Sequence, residues 1–283
     1  MNSSSDLVCD VCVVGKGLLG SAAARHLAEM GLNVLLVGPD EPLVRSEHSG
    51  VFGSHYDSGR ITRIIDTDLY CARIAEASIS RYRDLEESSG INFFEAAGHI
   101  AVSPVEDYIS GITNTAQQLR VDYKSLTNSE LVDAFPYFAF DDEVSGVYEH
   151  STGGYVNPRN LIKAQSQMVL NAKSEILTES VSNIEKCEDF FEVFTESGKE
   201  VKANEVLIAS GVFSERLIQD SQELDLEICE STVVLAELRE ENVMELEKMP
   251  SVIFRHESGI EKGIYLLPPI RYPDRKTYIK IGH

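Results

Sequence analysis

The chain has 283 residues, 43% of them hydrophobic, and a formal net charge of −21. That length and apolar content suit one large or two ordinary folded domains and argue against disorder. The acidity disfavours nucleic acid and anionic membrane surfaces as partners, since both recruit clustered Lys and Arg. No apolar run reaches the roughly 18 residues of a membrane helix.

The first six residues, Met1 to Asp6, are polar and lack the basic and apolar regions of a secretory signal. Residues 8–14, apolar but for Asp10, read as a buried strand, the pattern of a parallel sheet covered on both faces. Cys9 and Cys12 form a C-x-x-C inside it. Residues three apart on a strand point to opposite faces, so the pair reads as structural. Cys71, Cys187 and Cys229 are widely spaced and suggest no disulfide framework. After the strand comes Gly15-Lys16-Gly17-Leu18-Leu19-Gly20, then a helix to about Met30 with Leu19, Ala22, Ala23, Leu27 and Met30 at helical spacing. Gly31 stops the helix, and residues 33–37 form the next apolar strand.

This strand–turn–helix–strand context lifts G-x-G-x-x-G above a chance match. Gly15 permits the tight turn, Gly17 lets the backbone approach a pyrophosphate, and Gly20 lets the helix pack closely on the strand. The pyrophosphate then sits at the positive end of the helix, before Leu18 and Leu19. The acid expected at the end of the second strand is missing, because Gly38 stands there. Asp40 or Glu41 can replace it from the loop, or backbone groups can hold the ribose. The missing acid weakens a nicotinamide reading more than an FAD one.

Residues 38–53 are irregular, and 68–89 predict one long helix with Leu69, Ala72, Ala75, Ile79, Tyr82 and Leu85 on a face. Residues 98–103 read as a strand and 105–119 as a helix. Asn157 is a good N-cap and Pro158 suits the first position of a helix running to about Ala172. Short strands follow at 176–177, 181–184 and 190–195. Another buried strand, 205–211, ends in Ala209-Ser210-Gly211, a near match to the Ala-Thr-Gly strand end of many flavoproteins. Strands at 232–238, 252–255, 263–267 and 277–282 predict part of an antiparallel sheet. Neither H-E-x-x-H nor a Cys/His zinc spacing is present, so no metal site is expected, and there is no G-x-S-x-G.

The run Gly53-Ser54-His55-Tyr56-Asp57-Ser58-Gly59-Arg60-Ile61-Thr62-Arg63 resembles the Ser-His-x-x-x-x-Arg-x-x-Arg segment of the sarcosine-oxidase and N-methyltryptophan-oxidase group of D-amino-acid-oxidase-like flavoenzymes. The resemblance continues through Gly98-His99-Ile100, Tyr155-Val156-Asn157-Pro158, Ala209-Ser210-Gly211 and Tyr278-Ile279-Lys280-Ile281-Gly282. It implies a Rossmann-like α/β FAD-binding domain, with a parallel sheet plus a small β-meander, at 1–92 and 151–222. An α+β substrate domain on an antiparallel sheet is implied at 93–150 and 223–283. FAD is the implied cofactor, held by Gly15, Gly17, Leu18, Leu19, Gly20, Asp40, Ser54, His55, Arg60, the Val181 backbone, Ser210 and Gly211.

Arg60 is implied to lie beside the flavin ring and Arg63 to grip the substrate carboxylate, a task that suits a guanidinium fork. Lys280 is implied to assist reduction of oxygen, and Tyr265 to line the substrate cavity, although Leu266-Leu267-Pro268-Pro269 departs from the group's aromatic pattern there. The implied reaction is oxidation of a small secondary amine or amino acid to an imine, with O2 reduced to H2O2. A dehydrogenase using another acceptor and a non-catalytic FAD-binding fragment are the alternatives. Group members continue past the position of His283, so a C-terminally shortened chain, with weak FAD binding and poor activity on its own, is expected. A monomer in the cytoplasm or peroxisome is also expected.

Overall fold

The computed structural model describes residues 7–48, 52–218, 226–227, 229, 232–256 and 263–283. The polar stretch from Met1 to Asp6, residues 49–51 of the irregular segment and the expected boundary at 222/223 lie outside them. In chain order the elements are β1 (Leu7–Val14), α1 (Leu18–Glu29), β2 (Val34–Val37), β3 (Arg60–Thr62), α2 (Leu69–Ile79), α3 (Tyr82–Ser89), β4 (Phe94–Glu95) and β5 (His99–Ser103). Next come α4 (Glu106–Leu119), β6 (Lys124–Leu126), α5 (Asn128–Ala134), β7 (Ser145–Glu149), β8 (Gly154–Val156), α6 (Pro158–Asn171), β9 (Glu175–Leu177), β10 (Val181–Lys186) and β11 (Phe191–Thr195). The series ends with β12 (Glu200–Ile208), β13 (Val233–Glu237), α7 (Glu240–Glu245), β14 (Ser251–Arg255), β15 (Gly263–Arg271) and β16 (Thr277–Gly282).

Two compact units divide the chain: Met1–Asp57, Leu85–Asn92 and Pro158–Cys229 form the first, and Ser58–Asp84, Phe93–Asn157 and Glu230–His283 form the second. Residues 58–84 and 151–157, grouped with the first domain on sequence, thus fall in the second. The reason is strand pairing: β8 lies between β3 and β4 in a small three-stranded antiparallel sheet.

The first unit holds a six-stranded sheet in the order β10-β11-β12-β1-β2-β9. The four strands from β12 to β9 are parallel, and β10, β11 and β12 form an antiparallel meander. This is the expected α/β architecture. Cys9 and Cys12 do not point to opposite faces; both are buried in one core cluster with Val14, Leu35 and Val201. Asp10 and Val11 both donate their N–H to the Asn33 carbonyl, at 2.8 and 3.3 Å. Two successive donors on one acceptor mark a local kink, which re-aims Cys9.

The core face of α1 also differs from the expected one. Leu19 and Met30 are 81% and 76% exposed, whereas Gly20, Ala24 and Ala28 are buried. Small residues four apart let the helix axis approach the sheet closely, so the large apolar side chains fall outside that stripe. Arg25, buried on the same helix, donates to Gln165 on α6 at 2.5 Å and to Glu29 at 2.8 and 2.9 Å.

The second unit holds a seven-stranded sheet in the order β13-β16-β15-β14-β5-β7-β6. It is antiparallel except that β14 runs parallel to β5. One face packs Ala101 and Val147 against Ile112 and Ala116 of α4, and the other packs Ile100 and Val102 against Leu131 of α5. β15 continues past the expected Leu267, with a register shift against β16 between Leu267 and Ile270. Pro268 and Pro269 fall in that gap, where missing N–H donors cost no ladder bond. The single helix expected at 68–89 is two, α2 and α3, broken at Ser80. The Ser80 N–H bonds Glu76 O at 3.0 Å, the Arg81 N–H bonds Ser78 O at 3.1 Å, and the Ser80 hydroxyl bonds Ala77 O. Such backbone competition by serine loosens helices. The predicted face survives the break, with Ala72, Ile79 and Leu85 buried.

Candidate active site

The first unit supplies the glycine turn. Gly15 has φ 113°, and a Cβ there would lie 2.4 Å from Ala209 O, so β12 presses directly on the turn. A Cβ at Gly20 would lie 1.7 Å from Gly15 O. These two positions can therefore be nothing but glycine for packing reasons. Gly17 is different: its φ is −83°, and a Cβ would meet only His55, at 3.6 Å. Its bareness keeps open the space before the first helical turn. Helix geometry leaves the N–H groups of Leu18, Leu19 and Gly20 without intrahelical acceptors, an arrangement suited to an anion. A diphosphate fits this cradle.

The other expected contacts of the first unit lie on separate segments, of which His55 and the backbone of Ala209 and Ser210 approach the turn. The His55 ring packs edge-on against Tyr56 at 4.5 Å, and the exposed Ser54 precedes it. Ser210 Oγ lies 3.0 Å from Ser214 Oγ, and Gly211 follows at φ 58° with open space on its Cβ side. Val181 opens β10 opposite Thr195.

The missing acid at Gly38 now has a cause. A Cβ there would lie 2.6 Å from Lys16 N, so the backbone of Lys16 occupies that space. Lys16, which sequence reasoning passed over, donates to Asp40 and, at 3.3 Å, to Thr178 Oγ1. Glu41 is gripped by Arg159 through two bonds of 2.5 and 2.6 Å. Both candidate replacement carboxylates are thus already paired with cations of their own unit.

The second unit carries the two arginines and the lysine. Arg60 begins β3, opposite Val156, with its side chain exposed. Arg63 follows the strand, and its Nη2 donates to Asp66 at 2.6 Å. Lys280 is only 2% exposed; its Nζ donates to Gly59 O at 3.2 Å and stands 5.4 Å from the centre of the Tyr265 ring. Gly59 permits this approach, since a Cβ would lie 2.4 Å from Ile270 Cδ1. Gly282 performs the same service for Tyr265, whose ring atoms lie 2.5 Å from where its Cβ would be. Gly59, Tyr265, Lys280 and Gly282 therefore form one packed group.

Two buried residues near Arg63 were assigned no role on sequence, although His99 lies in a segment that carries the resemblance. The Glu149 carboxylate accepts N–H bonds from Ile64 and Ile65. His99 Nδ1 lies 2.9 Å from Ser251 Oγ, and burial, followed by the Arg63 charge, holds its imidazole well below the usual range. Burial raises the Tyr108 phenol, an effect offset in part by the charges of Arg63 and Arg255.

The family model described as FAD dependent oxidoreductase matches residues 10–283. N-methyl-L-tryptophan oxidase of Yersinia pestis (strain Pestoides F) is 26% identical over 213 residues, which are 74% of this chain and 55% of that protein. The chain spans about half the length of the curated relatives it matches. The solved structure of glycine oxidase from Bacillus cereus is similar with a TM-score of 0.66 at 22% identity, covering 96% of this chain and 70% of that one. L-proline dehydrogenase from P. horikoshii is similar with a TM-score of 0.72 at 16% identity, covering 98% and 70%. At these identities the two structures speak for the fold alone.

Proposed function

The chain belongs to the FAD dependent oxidoreductase family, and from that premise we propose that it serves the oxidation of a small amine or amino acid. The C–N bond becomes an imine, and the two electrons and two protons removed convert O2 to H2O2. Sarcosine-like N-methyl amino acids are the substrate class. The observation that carries the reading is the glycine turn, in which packing explains Gly15 and Gly20 and leaves Gly17 to a ligand.

FAD, when bound, accepts a hydride equivalent from the C–H beside the substrate nitrogen. Gly15, Gly17 and the amides of Leu18, Leu19 and Gly20 hold its diphosphate. Ser54, His55, Arg60, Val181, Ser210 and Gly211 contribute further contacts, and Asp40 does so while paired with Lys16. Arg63 binds the substrate carboxylate, in competition with Asp66. Tyr265 lines the substrate cavity. Lys280 is a buried, fixed cation, and such a charge lowers the cost of negative charge developing on oxygen. The first unit is the cofactor domain and the second the substrate domain.

The test is made on the purified chain loaded with FAD and offered sarcosine, pipecolate and N-methyl amino acids. Bleaching of the flavin without air and H2O2 formation in air are expected. Lys280→Met should slow reoxidation at least tenfold and spare anaerobic reduction. Arg63→Met should raise KM for carboxylate-bearing amines. Bleaching that air does not reverse would establish the dehydrogenase instead. Bound flavin that no amine reduces would leave only a binding protein.

A further inference from the structure

The seven-stranded sheet carries a buried line of residues, polar except at Leu267, across the face that packs against α4. Glu149 on β7 is in register with His99 on β5, and His99 with Ser251 on β14. The pairing of Val252 with Leu266 brings Ser251 opposite Leu267, which is in register with Lys280 on β16. None of these five side chains is more than 2% exposed. With strands about 4.8 Å apart, the line from Glu149 to Lys280 is about 19 Å long.

The segment from Gly59 to Ile65 has both ends tied to this line. At one end Lys280 Nζ donates to Gly59 O at 3.2 Å. At the other the Glu149 carboxylate accepts from Ile64 N–H at 3.0 and 3.2 Å, from Ile65 N–H at 3.0 Å and from Thr152 Oγ1 at 2.5 Å. Six residues of extended chain cover about 20 Å, the same span. Arg60 thus sits beside one anchor and Arg63 beside the other. A fully buried carboxylate is tolerated only when its oxygens are satisfied, and among the described residues the donors to Glu149 are Ile64, Ile65 and Thr152.

We propose that Glu149 is a positioning residue for Arg63: its buried carboxylate fixes the two peptide N–H groups that follow Arg63 and so holds the guanidinium in place. The consequence for substrate binding rests on the oxidase reading above, whereas the anchoring does not. Glu149→Gln is the direct test, because the amide keeps the shape but presents N–H where donors already converge. Thr152→Val, which removes one donor and leaves the carboxylate, is the milder variant should Glu149→Gln fail to fold.

Two measurements without substrate judge the anchoring: amide exchange along residues 59–65, and the order of the Arg63 Nε–H by 15N relaxation. At least tenfold faster exchange at Ile64 and Ile65 with a mobile Arg63 Nε–H is expected, while Ile100, Ala101 and Val102 keep their protection. Thr152→Val should give the same pattern at smaller size. Unchanged Ile64 and Ile65 amides, or an Arg63 signal that stays rigid, would overturn the proposal. On the loaded protein, KM for sarcosine should rise at least tenfold, with kcat for an N-methylalkylamine that lacks a carboxylate unchanged. If the wild type does not distinguish the two amines while the exchange result holds, the substrate role of Arg63 fails and the anchoring stands.

Discussion

His99 shows how one buried side chain sets a pH dependence. Its Nδ1 contacts Ser251 Oγ at 2.9 Å, and that hydroxyl also faces the carbonyls of Gly98 and Gly154, each at 3.1 Å. A hydroxyl has one hydrogen and a carbonyl has none, so the imidazole donates through Nδ1–H and leaves Nε2 as a bare acceptor. Nε2 has no hydrogen-bond partner among the described residues. Protonating it would bury a cation close to Arg63, and this holds the folded pKa well below 6.5. The unfolded chain takes up that proton near pH 6.5 and the folded one does not. The contribution to stability is therefore complete above pH 6.5 and is lost as pH falls from there toward the folded pKa. Between about pH 7.5 and about pH 5.5 the wild type should lose about 1.4 kcal/mol more than His99→Gln in urea unfolding. Parallel losses in the two proteins would remove His99 as the source.

The β1–turn–α1 element separates two roles that one motif combines. Gly20 faces Gly15 O and Ala209 Cβ, so Gly20→Ala forces the helix off the sheet and should cost about 1–3 kcal/mol, the usual range for overpacking. Gly17 has an ordinary φ and ordinary clearance to His55. Gly17→Ala should therefore leave apoprotein unfolding within about 0.5 kcal/mol of wild type. It should nevertheless weaken FAD binding at least tenfold, because the methyl stands before the first-turn amides. Urea unfolding of the apoproteins and fluorescence titration with FAD check both halves. A large stability loss in Gly17→Ala, or normal FAD affinity, would refute the division. The same element was the most legible part of the sequence, because a strand apolar but for Asp10, three glycines and a helical period all agree there. The helix face was not legible there: large apolar side chains favour the face of Leu19 and Met30, whereas the buried residues are Gly20, Ser21, Ala24, Arg25 and Ala28. β3, β4 and β8 are two or three residues long and carry no period to read. α5 carried a legible signal that was missed, the Thr127-x-x-Glu130 capping box. At the site, the resemblance pointed to Arg60, Arg63 and Lys280, but Asp66, which pairs with Arg63, Gly59, whose carbonyl accepts from Lys280, and Glu149, which accepts from the Ile64 and Ile65 amides, depend on packing and pairing. Glu149 is 85 residues from the amide it accepts, a distance no local pattern spans.

For the molecule as a whole, the excess of acids is the dominant electrostatic fact. Lys16, Arg25, Arg63, Arg159, Lys199 and Lys276 are each paired with a carboxylate. Pairs exposed on both sides, such as Lys276 with Glu237, contribute little, commonly below about 1 kcal/mol. The net charge of −21 acts in the opposite sense, through mutual repulsion that the unfolded chain relieves by expanding. Added salt weakens both, but the repulsion is summed over many more pairs at longer range, where screening is most effective. The Debye length falls from about 30 Å at about 0.01 M to about 8 Å at about 0.15 M. Tm at neutral pH should consequently rise as NaCl is added over this range. The rise should vanish as pH approaches the isoelectric point near 4.7, where there is no net charge to screen. Thermal melts across a grid of salt and pH measure this directly. A Tm that falls with salt at neutral pH would mean that the ion pairs, and not the net charge, govern the stability of the folded chain.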